Sequence, residues 1–156
     1  MLSTLSRYSD ITPPTLTFVS SPAVAMTVVI DASALFSAII PGSAHSEWAW
    51  ALCKSRELVA PELLGVELAQ ALRRSVRAGK LSDSQAWQAR DKTTSLVGEF
   101  FPHAPLPAAV WNMRDNRSAC DATYVGLASR LEVPLVTLDR VLAQTVSGRC
   151  AVMLPD

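Results

Sequence analysis

Apolar positions along this chain follow two alternating rhythms. Thr27-Val28-Val29-Ile30 is a short, β-branched run, which predicts a strand buried on both faces. From Ser43 to Lys54 the spacing becomes helical, with Trp48, Ala51 and Leu52 on one side. Leu58 to Ala60 returns to a short apolar run and is ended by Pro61. Between Glu62 and Ala78 the residues Leu64, Leu68, Ala71, Leu72 and Val76 recur at the helical period, predicting a long amphipathic helix closed by Gly79. Ser82 is placed to cap a further helix that runs to about Gly98. Phe100 to Pro107 reads as a proline-punctuated connection with room for a short edge strand. A short helix is expected from Ala108 to Arg114, and a Ser118-capped helix from there to Leu131. Pro134 to Leu138 reads as a second buried strand, Arg140 to Val146 as a short helix, and Cys150 to Leu154 as a last strand.

Strands that alternate with helices imply an α/β fold with a parallel sheet covered on both faces. Such sheets bind ligands beyond the carboxyl ends of their strands, near a point where the strand order reverses. Residues 1–25 break the rhythm. They are rich in Ser, Thr and Pro, with no helical period, and are expected to form a loose extension ahead of a folded domain at 26–156. Met26 stands directly before the first strand and is a candidate natural start. Finding peptides from 1–25 in the native protein would exclude that.

Composition narrows the class. With 49% apolar and 18% charged residues in 156, the chain is suited to a compact core rather than to disorder. Lys and Arg together number 14, as do Asp and Glu, so bulk charge gives no support to nucleic-acid binding, and any such attraction must be local. Cys53, Cys120 and Cys150 are odd in number and widely spaced, which argues against a disulfide framework or a zinc site and fits a reducing cytoplasm. Ala23-Val24-Ala25 resembles a signal cleavage site, but the stretch before it is too polar for a signal peptide. No apolar run reaches the roughly 18 residues of a membrane span. His45 and His103 lack metal-ligand spacing. The tryptophans 48, 50, 87 and 111 mostly fall at helical positions, as packing residues do.

Candidate chemistry rests with the acids. Asp31 directly follows the first strand, and Asp139 directly follows Leu138 of a later one. Both therefore lie where an open parallel sheet keeps its site, although each alone also reads as the cap of the next helix. Glu67 borders the apolar stripe of its helix; alone, it also reads as a rim glutamate paired with Arg74. Asp121 sits in the first turn after Ser118, with Tyr124, Val125 and Ala128 as its helical neighbours. A charge within that apolar face needs a partner or a metal, unless the first turn leaves it partly exposed at the helix N-terminus. Converging carboxylates repel one another and take up protons, and a divalent cation removes that problem. An all-oxygen set suits Mg2+, with Mn2+ as the other choice. Ions of this kind activate water and stabilise the charge of a phosphodiester displacement.

These residues also carry a resemblance. Val28-Val29-Ile30-Asp31-Ala32-Ser33-Ala34-Leu35 resembles the opening motif of PIN domains. Glu67-Leu68-Ala69-Gln70-Ala71-Leu72-Arg73-Arg74 is similar to their second motif, Asp121-Ala122-Thr123-Tyr124-Val125-Gly126-Leu127-Ala128 to the third, and Val136-Thr137-Leu138-Asp139-Arg140-Val141-Leu142 to the fourth. The resemblance runs from about residue 27 to the end. It implies a three-layer α/β/α sandwich around a parallel five-stranded sheet. It implies catalytic and metal-binding roles for Asp31, Glu67, Asp121 and Asp139, and supporting hydroxyls at Ser33 and Thr137. The implied reaction is hydrolysis of RNA to leave a 5′-phosphate. The compact size resembles the VapC toxin branch, which implies a homodimer and a VapB-like antitoxin partner.

Two further features bear on substrate. Arg73, Arg74, Arg77 and Lys80 form a basic cluster that reads either as an RNA-backbone patch or as a solvated helix face. Arg114 and Arg117, ahead of the third motif, are candidate RNA contacts beside Arg74, or else solvated loop residues. A DNA nuclease of the same architecture and a non-catalytic PIN-like binding module are the alternative readings. A phospho-acceptor receiver domain is disfavoured because the paired acids after the first strand and the late lysine are missing. A phosphatase with an Asp-x-Asp nucleophile is excluded because Ser33 stands where its second Asp is needed.

Overall fold

The computed structural model describes residues 26–103, 107–115, 117–146 and 148–156. The expected extension at 1–25 lies outside the described residues. The first strand, β1 (Thr27–Ile30), forms as its β-branched run predicts. Helix α1 (Ala32–Ile39) follows at once, in a stretch to which the hydrophobic pattern assigns no element. Its side chains are apolar or small nearly all round, so it shows no polar stripe to mark a helix. Helix α2 (Ser46–Ser55) starts later than Ser43, and β2 (Glu57–Pro61) takes Pro61 as its last residue.

Helix α3 (Leu63–Arg77) is amphipathic, with Leu64, Leu68 and Leu72 buried, and Gly79 adopts the left-handed φ of 68° just beyond it. Helix α4 (Asp83–Leu96) begins in a capping box between Ser82 and Gln85. It stops short of the expected Gly98, because Val97 to Phe101 pair with β2 as the parallel strand β3 (Val97–Phe101). Tertiary pairing thus overrides local helical spacing. Helix α5 (Pro107–Trp111) is shorter than expected, whereas α6 (Ala119–Leu131) matches the Ser118-capped prediction. Strand β4 (Leu135–Val136), helix α7 (Arg140–Thr145) and strand β5 (Val152–Met153) complete the chain, both strands shorter than the apolar runs that contain them.

The five strands are all parallel and ordered β3-β2-β1-β4-β5. The chain therefore winds outward from β1 through β2 to β3, then crosses back over the sheet to β4 and β5. Right-handed crossovers put α1 to α4 on one face and α5 to α7 on the other, giving three layers. Val28, Val29, Ile30, Leu135 and Val136 show no exposed surface, as central strands buried on both faces require. Helix α6 packs across β1, β2 and β4 and is buried without interruption from Ala122 to Ala128. The reversal of strand order lies between β1 and β4, so their carboxyl ends open onto the crevice where a site is expected.

Candidate active site

Asp31 leaves β1 at that crevice and its carboxylate is fixed from three directions. Oδ1 accepts from the Ser33 hydroxyl at 2.7 Å and from the Ala34 backbone N–H at 2.9 Å, and Oδ2 accepts from the Thr137 hydroxyl at 2.5 Å. The Ala34 contact makes Asp31 the N-cap of α1, so capping and site placement coexist in one side chain. Ser33 also accepts from the Leu138 N–H at 3.0 Å, and Thr137 accepts from the Asp139 N–H at 2.9 Å. Two hydroxyls therefore lace the end of β1 to the turn after β4. Asp31 is only 7% exposed, and burial raises its carboxyl above the ordinary value; the Thr137, Ala34 and Ser33 hydrogen bonds oppose that rise, and the charge of Glu67 adds to it.

Asp139 follows β4 and caps α7, its Oδ1 accepting from the N–H groups of Val141 at 2.8 Å and Leu142 at 2.9 Å. It is exposed, unlike Asp31. Glu67 projects from the second turn of α3 and accepts from the Tyr124 hydroxyl at 2.6 Å. The sequence alternative, pairing with Arg74, is not formed. Asp121 sits in the first turn of α6, half-buried rather than enclosed in the apolar face, and its backbone N–H donates to Ser118 at 3.1 Å.

These four carboxylates, with Ser33, line one cleft of about 680 Å³. They come from four separate elements, so only the folded chain assembles them. Among the described residues, no three acidic, His or Cys side chains are already close enough to enclose an ion. An open set of oxygen donors still fits a hydrated Mg2+, which keeps several waters and binds through one or two carboxylates rather than a closed cage. Burial, and to a smaller degree the charge of Glu67, disfavours the ionised form of Asp31, and a cation at this place would offset that cost.

The structure separates the candidate RNA contacts. Arg74 lines the cleft, and so does Lys80. Arg114 does not; its guanidinium lies 5.2 Å from the Trp111 ring centroid and forms an ion pair with Asp115 at 3.5 Å. Arg117 also lies elsewhere, donating to the Val141 carbonyl at 3.0 Å and to the Thr145 hydroxyl, so it ties the segment before α6 to α7. Sequence reading missed Tyr124 as a site residue, since it took the ring for part of an apolar face. The available signal was the hydroxyl itself, which when buried nearly always finds a partner. Burial, then Glu67, hold its phenol well above the ordinary value, so Tyr124 remains a donor. Cys120, one turn earlier, has its thiol raised by burial and by neighbouring Glu67 and Asp121.

A parallel five-stranded sheet between two helical layers, with acids gathered at its switch point, is the architecture that the PIN resemblance implies. Comparison with known proteins narrows it further. The chain is 37% identical over 127 residues to Ribonuclease VapC1 of Mycobacterium tuberculosis, covering 81% of this chain and 96% of that protein. It is 32% identical over 126 residues to Ribonuclease VapC9 of the same organism, covering 80% and 95%. The crystal structure of PAE2754 from Pyrobaculum aerophilum superposes with a TM-score of 0.64 at 26% identity, over 82% of this chain and 83% of that one. Mycobacterium tuberculosis VapC20, described as a sarcin-ricin loop cleaving toxin, shares the fold with a TM-score of 0.64 at 18% identity, over 82% and 99%. No family model matches the chain. The protein belongs to the VapC ribonuclease family. Among the described residues, no helix is long and apolar enough to cross a membrane.

Proposed function

We propose that this protein is a metal-dependent endoribonuclease, the toxin of a VapBC-like toxin–antitoxin module, acting in the cytoplasm as a homodimer held in check by a VapB-like antitoxin. The observation that carries the reading is the convergence of Asp31, Glu67, Asp121 and Asp139 on one cleft from four separate elements. Membership of a family whose relatives are named ribonucleases supports RNA as the substrate.

Asp31, Glu67, Asp121 and Asp139 are the residues that would hold Mg2+, or Mn2+ in its place. When bound, such an ion supplies charge neutralisation at the phosphodiester and makes water a better nucleophile. The chain's own groups do the rest. Ser33 and Thr137 orient Asp31, one hydroxyl on each carboxylate oxygen. Tyr124 donates to Glu67 Oε2 and fixes that carboxylate at the cleft wall. Fixed, partly desolvated carboxylates of this kind need little reorganisation as charge develops in the transition state.

The test is cleavage of cellular RNA by the purified, antitoxin-free protein in magnesium, manganese and EDTA, with Asp31→Asn and Asp121→Asn alongside. Cleavage that needs metal and is lost in both variants is the expected result. Metal-independent cleavage, or full activity in either variant, removes the proposed site. A magnesium-dependent preference for DNA would move the reading to a DNA nuclease.

A further inference from the structure

We propose that the substrate strand lies along α3, with Arg74 and Lys80 gripping its phosphates on one side only of the bond that is cut. This rests on the ribonuclease reading above and adds the direction in which the substrate leaves the acidic centre. Glu67, Ala71, Arg74, Ser75 and Ala78 all line the cleft. At 3.6 residues per turn these positions form a single stripe of α3, beside the Leu64, Leu68 and Leu72 face that enters the core. From Glu67 to Ala78 the stripe rises about 16 Å at 1.5 Å per residue. Its floor is made of the small residues Ala71, Ser75 and Ala78, which leave room for a sugar–phosphate chain to lie close to the helix.

Charge is divided along this groove. The carboxylates stand at the end nearest the sheet, and both cations stand toward the carboxyl end of α3 and the turn after it. Arg74 and Lys80 are exposed, and no hydrogen bond or ion pair engages either side chain among the described residues. The part of the cleft wall supplied by α1, α6 and α7 carries Ala32, Ser33, Phe36, Asp121, Tyr124 and Asp139, with no cation among them. A single phosphate cannot satisfy both ends of such a groove. Arg74 lies seven residues beyond Glu67, about 10 Å along the axis. At the 3.4 Å per nucleotide of a stacked strand, its phosphate is about three nucleotides from the scissile one, and fewer if the strand is extended. A polyanionic strand is therefore the ligand that fits, and it is held from one side.

The probe is a labelled, mixed-sequence, single-stranded RNA bound to the full-length protein in calcium buffer and followed by fluorescence anisotropy over a range of salt. Arg74→Ala and Lys80→Ala are each expected to weaken binding about three- to tenfold and to lower the salt slope by about one counterion. Arg73→Ala, on the same helix but outside the cleft, is expected to change neither. Trimming the RNA from one end should cost the unmodified protein affinity, trimming from the other should not, and the Arg74→Ala/Lys80→Ala double variant should lose this asymmetry. Manganese affinity by calorimetry should stay constant throughout. The proposal is overturned if Arg74→Ala and Lys80→Ala behave like Arg73→Ala, if both ends matter equally, or if the RNA does not bind. RNA that binds through both cations but is never cut in magnesium would leave the groove standing and remove the catalytic reading instead.

Discussion

The two helices that wall the cleft meet opposite demands. Helix α6 has an unbroken buried run from Ala122 to Ala128, whereas α3 buries only Leu64, Leu68 and Leu72. On α6, packing against three strands specifies almost every side chain, and the cleft is reached only by Asp121 in the first turn and by the Tyr124 hydroxyl. On α3, the face away from the core remains open and presents Glu67, small residues and Arg74 to the same space. The acidic centre thus leans on a wall that cannot shift without disturbing the core. The proposed substrate contacts sit on a wall whose cleft face is exposed and free to change.

The largest effect that follows concerns stability. Leu127 on α6 is 1% exposed, and Leu127→Ala is expected to cost about 2–5 kcal/mol through lost burial and the cavity left behind. Val66 on the outer side of α3 is 63% exposed, and Val66→Ala should fall within about 0.5 kcal/mol of the unmodified protein. Urea unfolding measures both. Equal costs at the two sites would erase the contrast between the walls.

Next comes a side chain that bridges the walls. Tyr124→Phe keeps the ring in the core but removes the donor to Glu67. Groups that orient a metal ligand typically contribute about ten- to a hundredfold in affinity or activity. Loss of that order in manganese affinity, with unfolding free energy lowered by only about 1 kcal/mol, is the expected split. If metal affinity holds while stability falls, the hydrogen bond serves packing alone.

Asp31 gives a pH-dependent effect of smaller size. Its carboxyl is raised by burial, so the folded protein holds that proton more tightly than the unfolded chain. The residue is then neutral to stability below the ordinary aspartate range and destabilises the metal-free fold as pH rises through the raised value. Metal-free Asp31→Asn should therefore melt higher than the unmodified protein at neutral pH, and the advantage should vanish in acid. Magnesium should raise the melting temperature of the unmodified protein and not that of the variant. An Asp31→Asn variant less stable at every pH would show that the Ser33 and Thr137 hydrogen bonds outweigh the desolvation.

The contrast between the walls also explains what the sequence could disclose. Amphipathic α3 announces itself by periodicity, and strand-end residues such as Asp31 and Asp139 are located by their apolar runs. Helix α1 was silent because it is apolar on nearly every side. The β3 boundary was hidden because pairing with β2, not local spacing, turns Val97 and Gly98 into strand. Tyr124 was legible as a buried ring but not as a donor, since its partner lies 57 positions away on another helix. The cations divide for the same reason: Arg74 stands on the Glu67 stripe, whereas Arg117 is drawn off by α7, which no local pattern records.

The smallest change is expected where function is most exposed. Arg74→Ala should leave the unfolding free energy within about 0.5 kcal/mol, because the side chain is solvated and no hydrogen bond or ion pair holds it among the described residues. Arg117→Ala makes the informative partner, since it breaks the hydrogen bonds to the Val141 carbonyl and the Thr145 hydroxyl and loosens the tie to α7, on whose N-cap Asp139 stands. A loss of about 1–2 kcal/mol is expected there, from charged hydrogen bonds that water can partly replace. Two arginines of equal charge would then separate cleanly by chemical denaturation, one indifferent to the fold and one bound into it. Should Arg74→Ala destabilise as much as Arg117→Ala, α3 would be as constrained as α6, and its cleft face would be a structural surface rather than an adjustable one.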